Sequence, residues 1–441
     1  MNKDVNPLER YHAIKLKADL KQAVEPVAHA FNKSLESQGP IANFLDVKAV
    51  HRHLIEENET IKVMLEEGRT PFIQGVFLYE IDGLKLKKVF DCPLGGIDRT
   101  DLESAHHWIY KSQDQCQSHQ PHRLQSITKS IVAMAMIRVC EQYHKSKAQE
   151  ARPLDTWLKE TTLGDLYKQR KSLGQYCLLE GRLSGLNIPE AHQKISLYHL
   201  LTMQSGMDWN QEGPDSDANA FDDATKDYLA LVFEKEVKKG QFEYKDCDAI
   251  LWGLCLELLC GKPCENVIQD QLFTPLGIPA SRVTWHKRAG KQSLPCSGGL
   301  ILSPDDLAIL AAALITNKDQ KENSLFVNEK SLELLSSPAI DFVSLSNRKG
   351  MTKFNIGYGA GTWIDSHEQR HWSGIGGQKV YFLKNDHLLI TIGAFYNESG
   401  EIAKSLYAQC GQIRRKVEEL LLSAEPPPTL TPAPAAKKEK D

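Results

Sequence analysis

Gln125-Ser126-Ile127-Thr128-Lys129-Ser130-Ile131-Val132-Ala133-Met134-Ala135-Met136-Ile137 is the stretch that decides the fold. From Ile131 onward it is apolar on every side of a helix, which marks a central, buried one. Ser126 and Lys129 stand at its head, one helical turn apart and on the same face. A hydroxyl and an amine so placed suit a serine nucleophile with a lysine base. The first turn of such a helix also offers unpaired N–H groups and the positive end of the dipole, which favour a nearby oxyanion. To act as the base Lys129 has to be neutral, and burial depresses a lysine from its ordinary pKa of ~10.4. An isolated S-x-x-K leaves a plainer alternative open: Ser126 as a helix cap and Lys129 as a surface lysine. A second copy, Ser346-Asn347-Arg348-Lys349, lies in a polar, Gly-ended stretch with no apolar helix behind it. Context therefore favours Ser126.

The chain of 441 residues is 41% hydrophobic and 25% charged, which is enough for a large core and one or two domains. Its net charge of −4 shows no basic excess, so neither nucleic acid nor an anionic membrane is an expected partner. Met1 to Leu20 is charged and lacks the apolar core of a secretory signal, so a cytoplasmic location is expected. No run approaches the ~18 apolar residues of a membrane span. The ten cysteines are scattered, and Cys255, Cys260 and Cys264 cluster without C-x2-C spacing, so free thiols are expected.

Along the chain, residues 1–68 show helical periodicity with polar composition and read as an N-terminal helical extension. Phe72 to Phe90 holds two β-rich runs around Asp82-Gly83, a hairpin signal. Residues 150 to 240 pattern as helices. Tyr244–Leu259 and Ser303–Thr316 are further helix candidates. Strands are predicted at Ile356–Ile364, Gln378–Leu383 and His387–Phe395, followed by an amphipathic helix from Gly400 to Leu422. Strands at both ends with helices between suit an antiparallel sheet, an α+β arrangement with a helical region inserted. Residues 423–441 are Pro-rich, then charged, and read as a disordered tail.

Six ordered segments resemble the β-lactamase-related serine hydrolases: class C β-lactamases, penicillin-binding D-amino-acid peptidases, and their esterase and amide-hydrolase relatives. They are Gln125–Ile131, Ile195–Gly206 (ISLYHLLTMQSG), Phe242–Asp246 leading to Leu251-Trp252-Gly253, Pro275–Ile278, Ser297–Leu307 and Ser373–Gln378. The resemblance implies a β-lactamase/transpeptidase-like fold over residues 69–422, an antiparallel sheet flanked by helices with a helical subdomain at about 150–240. It implies Ser126 as the acylated nucleophile, Lys129 as its base and Tyr244 as a second proton shuttle. The backbone N–H groups of Ser126 and Ile375 would form the oxyanion hole, with Ser373, Gly374, Asp246 and Trp372 at the substrate. No cofactor and no metal are implied. The expected substrate is a small amide or carboxylic ester, and the N-terminal helices and the tail are the surfaces a protein partner would use.

Two positions depart from the family pattern. Trp372 stands where the third motif carries Lys or His, a cation that β-lactamases and penicillin-binding enzymes use for a substrate carboxylate. His371 precedes it, and a strand sends the two to opposite faces. This favours the branch that resembles 6-aminohexanoate-dimer hydrolases and esterases. The second departure is Asp246, where β-lactamases carry Asn; it would repel an acidic substrate and attract an amine, or else cap a helix. Trp372, Trp209 and Tyr244 line an acyl pocket or pack in the core. Two other functions compete. One is a catalytically weak binding or scaffold protein of this fold. The other is a zinc hydrolase using His367-Glu368-Gln369-Arg370-His371, which needs both histidines on one helix face. Its Gly-rich, strand-like flanks speak against that.

Overall fold

The computed structural model describes residues 73–83, 85–93, 117–146, 152–172, 187–211, 217, 227–238, 240–287, 294–342 and 355–393, with 407, 410–411, 413–415, 417–419 and 421–422 near the C-terminus. The N-terminal extension, the tail and the second S-x-x-K copy lie outside the described residues.

The strands are β1 (Ile73–Asp82), β2 (Lys85–Pro93), β3 (His122–Arg123), β4 (Thr284–Trp285), β5 (Leu300–Leu302), β6 (Ile340–Asp341), β7 (Asn355–Tyr358), β8 (Trp363–Asp365), β9 (Arg370–Gly374), β10 (Gln378–Leu383) and β11 (His387–Gly393). The helices are α1 (Ile127–Ser146), α2 (Leu154–Glu160), α3 (Leu163–Ser172), α4 (Glu190–Gln193), α5 (Leu197–Leu201), α6 (Tyr228–Phe233), α7 (Asp246–Cys260), α8 (Cys264–Ile268), α9 (Pro304–Thr316) and α10 (Glu329–Ser336). Eight strands form one sheet in the order β2-β1-β11-β10-β9-β8-β7-β6, and β3-β5-β4 form a small second one. The N-terminal hairpin joins the C-terminal strands through antiparallel pairing of β1 with β11. The predicted antiparallel α+β fold, closed by both chain ends, is the one observed.

The Asp82-Gly83 turn sits where the hairpin signal places it, with Gly83 at φ 58. The strand predicted over Ile356–Ile364 is instead two strands, β7 and β8, joined by a tight turn. Gly361 is the cause. Its φ is +77, and a Cβ there would meet Ser130 Cα of α1 at 2.7 Å. Only glycine lets the turn lie this close against the helix, where Ser130 Oγ donates to the Gly361 carbonyl.

Helix α1 is buried almost throughout, with Ile131 to Ile137 at 0% exposure. It shares one core with Phe77 and Tyr79 of β1, Trp372 of β9, and Trp252 and Leu256 of α7. Each large apolar side chain so buried contributes roughly 1.5–3 kcal/mol. The other face of the central strands carries Ser373, Lys379 and Thr391 in register. The C-terminal helical segment covers it. There Thr391 Oγ1 and Cys410 Sγ lie 3.4 Å apart, and the Arg414 guanidinium sits 5.3 Å over the Tyr381 ring.

Candidate active site

Ser126 is half-buried just before α1, and Gln125 ahead of it holds a left-handed φ of 50°. Such a backbone is unusual for a residue other than glycine and belongs to positions that the surrounding structure over-determines. Lys129, one turn on, is buried at 1% exposure. Its Nζ donates to Ser126 Oγ at 2.9 Å and to the Ser297 carbonyl at 2.9 Å, and pairs with Asp246 Oδ1 at 2.6 Å. Three acceptors match the three protons of an ammonium. The Tyr244 ring lies 4.9 Å from the same nitrogen.

Burial alone pulls Lys129 down, but Asp246 and Tyr244 outweigh it and leave the amine above its ordinary value. The expectation that burial would neutralise Lys129 is therefore corrected: the adjacent carboxylate reverses the direction. The two readings of Asp246 are corrected as well. It neither caps a helix nor presents a free charge to a substrate, because its charge is committed to Lys129. It is the first residue of α7, and Gln211 clamps it from the loop beyond Ser205-Gly206. Gln211 Nε2 donates to Asp246 Oδ2 at 3.0 Å, while Gln211 Oε1 accepts from the Asp246 backbone N–H at 2.7 Å.

Tyr244 stands two residues ahead of α7, in an aromatic cage with Trp363 at 4.9 Å and Tyr358 at 6.1 Å between ring centroids. Behind it lies Asp248, buried at 0% exposure, which accepts from Ser205 Oγ. Burial pushes its carboxyl up to about 6. Cys247 beside it is buried, and burial pushes its thiol well above the ordinary range, so it is no thiolate nucleophile.

The third motif reaches this group through Gly374. A Cβ at Gly374 would collide with the Leu124 carbonyl and stand 3.1 Å from Gln125 Cβ, so β9 ends directly against the residues that precede Ser126. Among the described residues neither the Ser126 nor the Ile375 backbone N–H has an acceptor. Ser373 is half-buried, and its Oγ accepts from Lys379 Nζ at 2.6 Å. Trp372 faces the opposite way. It is buried at 0%, donates its indole N–H to Thr362 Oγ1 at 3.2 Å, and meets the Phe382 ring edge-on. Trp209 is also buried, at 2%. Of the three aromatics offered for an acyl pocket, both tryptophans are core residues.

The zinc alternative fails on local structure. His367 and Glu368 lie in the turn between β8 and β9, with Glu368 at φ 59, while His371 lies in β9. The two histidines share no helix face, and among the described residues no His, Cys, Asp and Glu cluster suits a metal.

Sequence reasoning missed Gln211 and the Ser297 carbonyl. Ser297-Gly298-Gly299 bounded a recognisable segment without an assigned role. Nothing local marks Gln211.

Residues 105–405 match the family model described as Beta-lactamase. No curated protein sequence matches the chain. Among solved structures, the chain is similar to EstCE1, a hydrolase with promiscuous acyltransferase activity, at 15% identity and a TM-score of 0.52, covering 91% of this chain and 99% of that one. It is similar to a beta-lactamase/D-alanine carboxypeptidase from Yersinia pestis at 15% identity and a TM-score of 0.52, covering 83% and 100%. It is also similar to a putative 6-aminohexanoate-dimer hydrolase from Bacillus anthracis at 12% identity and a TM-score of 0.51, covering 81% and 82%. At these identities the structures bear on the fold alone, and the family rests on the matched model. By that match and by its fold, the chain belongs to the beta-lactamase family of serine hydrolases.

Proposed function

We propose that the protein cleaves a small amide or carboxylic ester through an acyl-enzyme on Ser126. The observation that carries this is the 2.9 Å contact of Lys129 Nζ with Ser126 Oγ in a buried, fully hydrogen-bonded setting. Ser126 Oγ attacks the carbonyl carbon, and the N–H groups of Ser126 and Ile375 receive the oxyanion. The resting ammonium of Lys129 has no lone pair to offer. It accepts the Ser126 proton only after passing one of its own to the Asp246 carboxylate. Tyr244 carries a proton to the leaving group as the tetrahedral intermediate collapses, and water then hydrolyses the ester on Ser126. Gly374 serves by its missing side chain, which allows the close approach of β9. Ser373 faces the substrate, while Trp372 supports the strand from the core.

A cytoplasmic location is part of this reading, supported by the free thiols among the described residues. No helix among the described residues is long and apolar enough to cross a membrane. A fluorophosphonate probe tests the proposal. Covalent labelling that disappears in Ser126→Ala is the expected result; an unlabelled wild type that also fails to hydrolyse p-nitrophenyl esters defeats it.

A further inference from the structure

The turn that carries the Ile375 N–H is held in place by side chains other than its own. It spans residues 375–377 between β9 and β10, and Gly376 and Gly377 both sit at φ 84. Two successive glycines in that region bring no side chain to fix them and leave many backbone conformations within reach. β10 pairs with β11 from Leu383–His387 up to Lys379–Thr391. At Gly393, the last residue of β11, the Gln378 side chain takes over that pairing. Gln378 Nε2 donates to the Gly393 carbonyl at 2.9 Å, and its Oε1 accepts from the Gly393 N–H at 3.1 Å. The amide is buried, and both of its ends are used.

That grip reaches the turn itself. The Gly376 carbonyl is pressed against Gly393: a Cβ on Gly393 would stand 1.6 Å from Gly376 O and 3.1 Å from Gly377 Cα. Gln378 Nε2 also lies 3.5 Å from the Gly376 carbonyl. Thr391, the register partner of Lys379, donates from Oγ1 to the Gly377 carbonyl at 3.0 Å. On the other side of the turn the Gln378 backbone pairs with Gly374, which abuts Leu124 and Gln125 just before Ser126. Ile375 thus lies between Gly374, fixed against the approach to the nucleophile, and Gly376, fixed against β11. A Gly-Gly turn free to rock by about 1 Å would carry the N–H out of hydrogen-bond reach of a developing oxyanion.

We propose that Gln378 and Thr391 are positioning residues for the oxyanion hole: they hold the Gly376 and Gly377 carbonyls against β11 and so aim the Ile375 N–H at the substrate oxygen. Both act through the turn. Donors fixed in advance stabilise an oxyanion without reorganising at the moment of reaction. The proposal rests on the reading of Ser126 as the nucleophile and Ile375 as an oxyanion donor.

Two esters that differ in one atom test it: p-nitrophenyl acetate and its thiono analogue, with sulfur in place of the carbonyl oxygen. Sulfur is larger and a weaker acceptor, so the oxygen ester alone gains fully from a well-aimed N–H. The wild type is expected to favour the oxygen ester by about a hundredfold in kcat/KM. In Gln378→Met that ratio is expected to fall about tenfold, and in Thr391→Val, which keeps the side chain's shape, about threefold. A loss of folded enzyme lowers both rates alike and leaves the ratio where it was. A wild-type ratio of one, or a ratio unchanged in Gln378→Met, overturns the proposal. If Gln378→Met does not fold, Thr391→Val decides, and an unchanged ratio there overturns it. Fluorophosphonate labelling separates this role from the catalytic reading. A wild type that is neither labelled nor active on p-nitrophenyl esters defeats both. A labelled wild type whose ratio is the same in the variants upholds Ser126 and sinks the positioning role. If the labelled wild type turns over neither ester, the labelling rate takes their place, because the phosphoryl oxygen occupies the same hole. It is then expected to be about tenfold slower in Gln378→Met, and an unchanged rate overturns the proposal.

Discussion

Two buried lysines flank this site, and their protonation is pushed in opposite directions. Lys129 is 1% exposed and Lys379 8%, so both leave most of their hydration behind. Lys129 has Asp246 at 2.6 Å and holds its proton above the ordinary lysine value. Lys379 has a serine hydroxyl, a phenol ring and a second cation, and drops to about 8. Burial sets the cost of a charge in either place; the neighbouring carboxylate decides its sign of effect. Among the described residues Lys129 has a carboxylate partner, whereas Lys379 has none.

The largest expected effect tests whether the Lys129 end does chemistry at all. Ser126→Ala should lower kcat by about a thousandfold or more, with the fold intact by circular dichroism. Asp246→Asn makes the first lysine resemble the second. Breaking this buried pair from one side should cost about 3–5 kcal/mol in urea unfolding, reduced somewhat by the partial exposure of Asp246. The sign with pH follows from the raised Lys129 value. The pair's contribution is fully present below the ordinary lysine value of 10.5 and is lost as pH rises through the higher folded value. In the wild type the loss of stability that this lysine causes should thus begin only above about pH 10. A wild-type loss that begins by about pH 8 would mean that the two lysines are alike after all.

Asp248 provides the acidic counterpart of Lys379, a buried charge that its surroundings disfavour. Its carboxyl is raised from 3.8 to about 6, so ionising it costs the folded state on the order of 3 kcal/mol. Because the folded value is the higher one, stability from this group is present at low pH and lost between the unfolded and folded values. Thermal melts of Asp248→Asn should lack that loss, and an unchanged pH slope would contradict it. The smallest effect belongs to the exposed pair Lys238–Asp208, 2.6 Å apart but 61% and 60% exposed. Lys238→Ala should leave the melting temperature unchanged within error, which sharpens the contrast between paired charge in water and paired charge in the core.

Much of the fold was legible because its signals are local. The all-apolar run after Ser130 announces a central helix, and the Asp82-Gly83 turn announces its hairpin. Helix α9 begins where Ser303 caps it, its Oγ accepting from the Asp306 N–H. The β7–β8 turn was illegible for the opposite reason. The residues around Gly361 have strand character, and the demand for glycine comes from Ser130 of α1, more than 200 positions away in the chain. Of the candidate site, Ser126, Lys129 and Tyr244 stand out by motif. Gln211 does not, because an amide in a loop acquires meaning only when Asp246 is brought to it.

By itself the sequence determined the nucleophile candidate, its helix and the family pattern, because a hydroxyl and an amine one turn apart are placed by backbone geometry alone. It also placed Trp372 at the position where the resemblance leads to the expectation of a cation. Only the tertiary structure decided the charge states. Asp246 meets Lys129 when α7 packs on α1, and Lys379 loses its water when the C-terminal helical segment closes over β10. A pKa depends on distance and solvation, and neither is written in the order of residues.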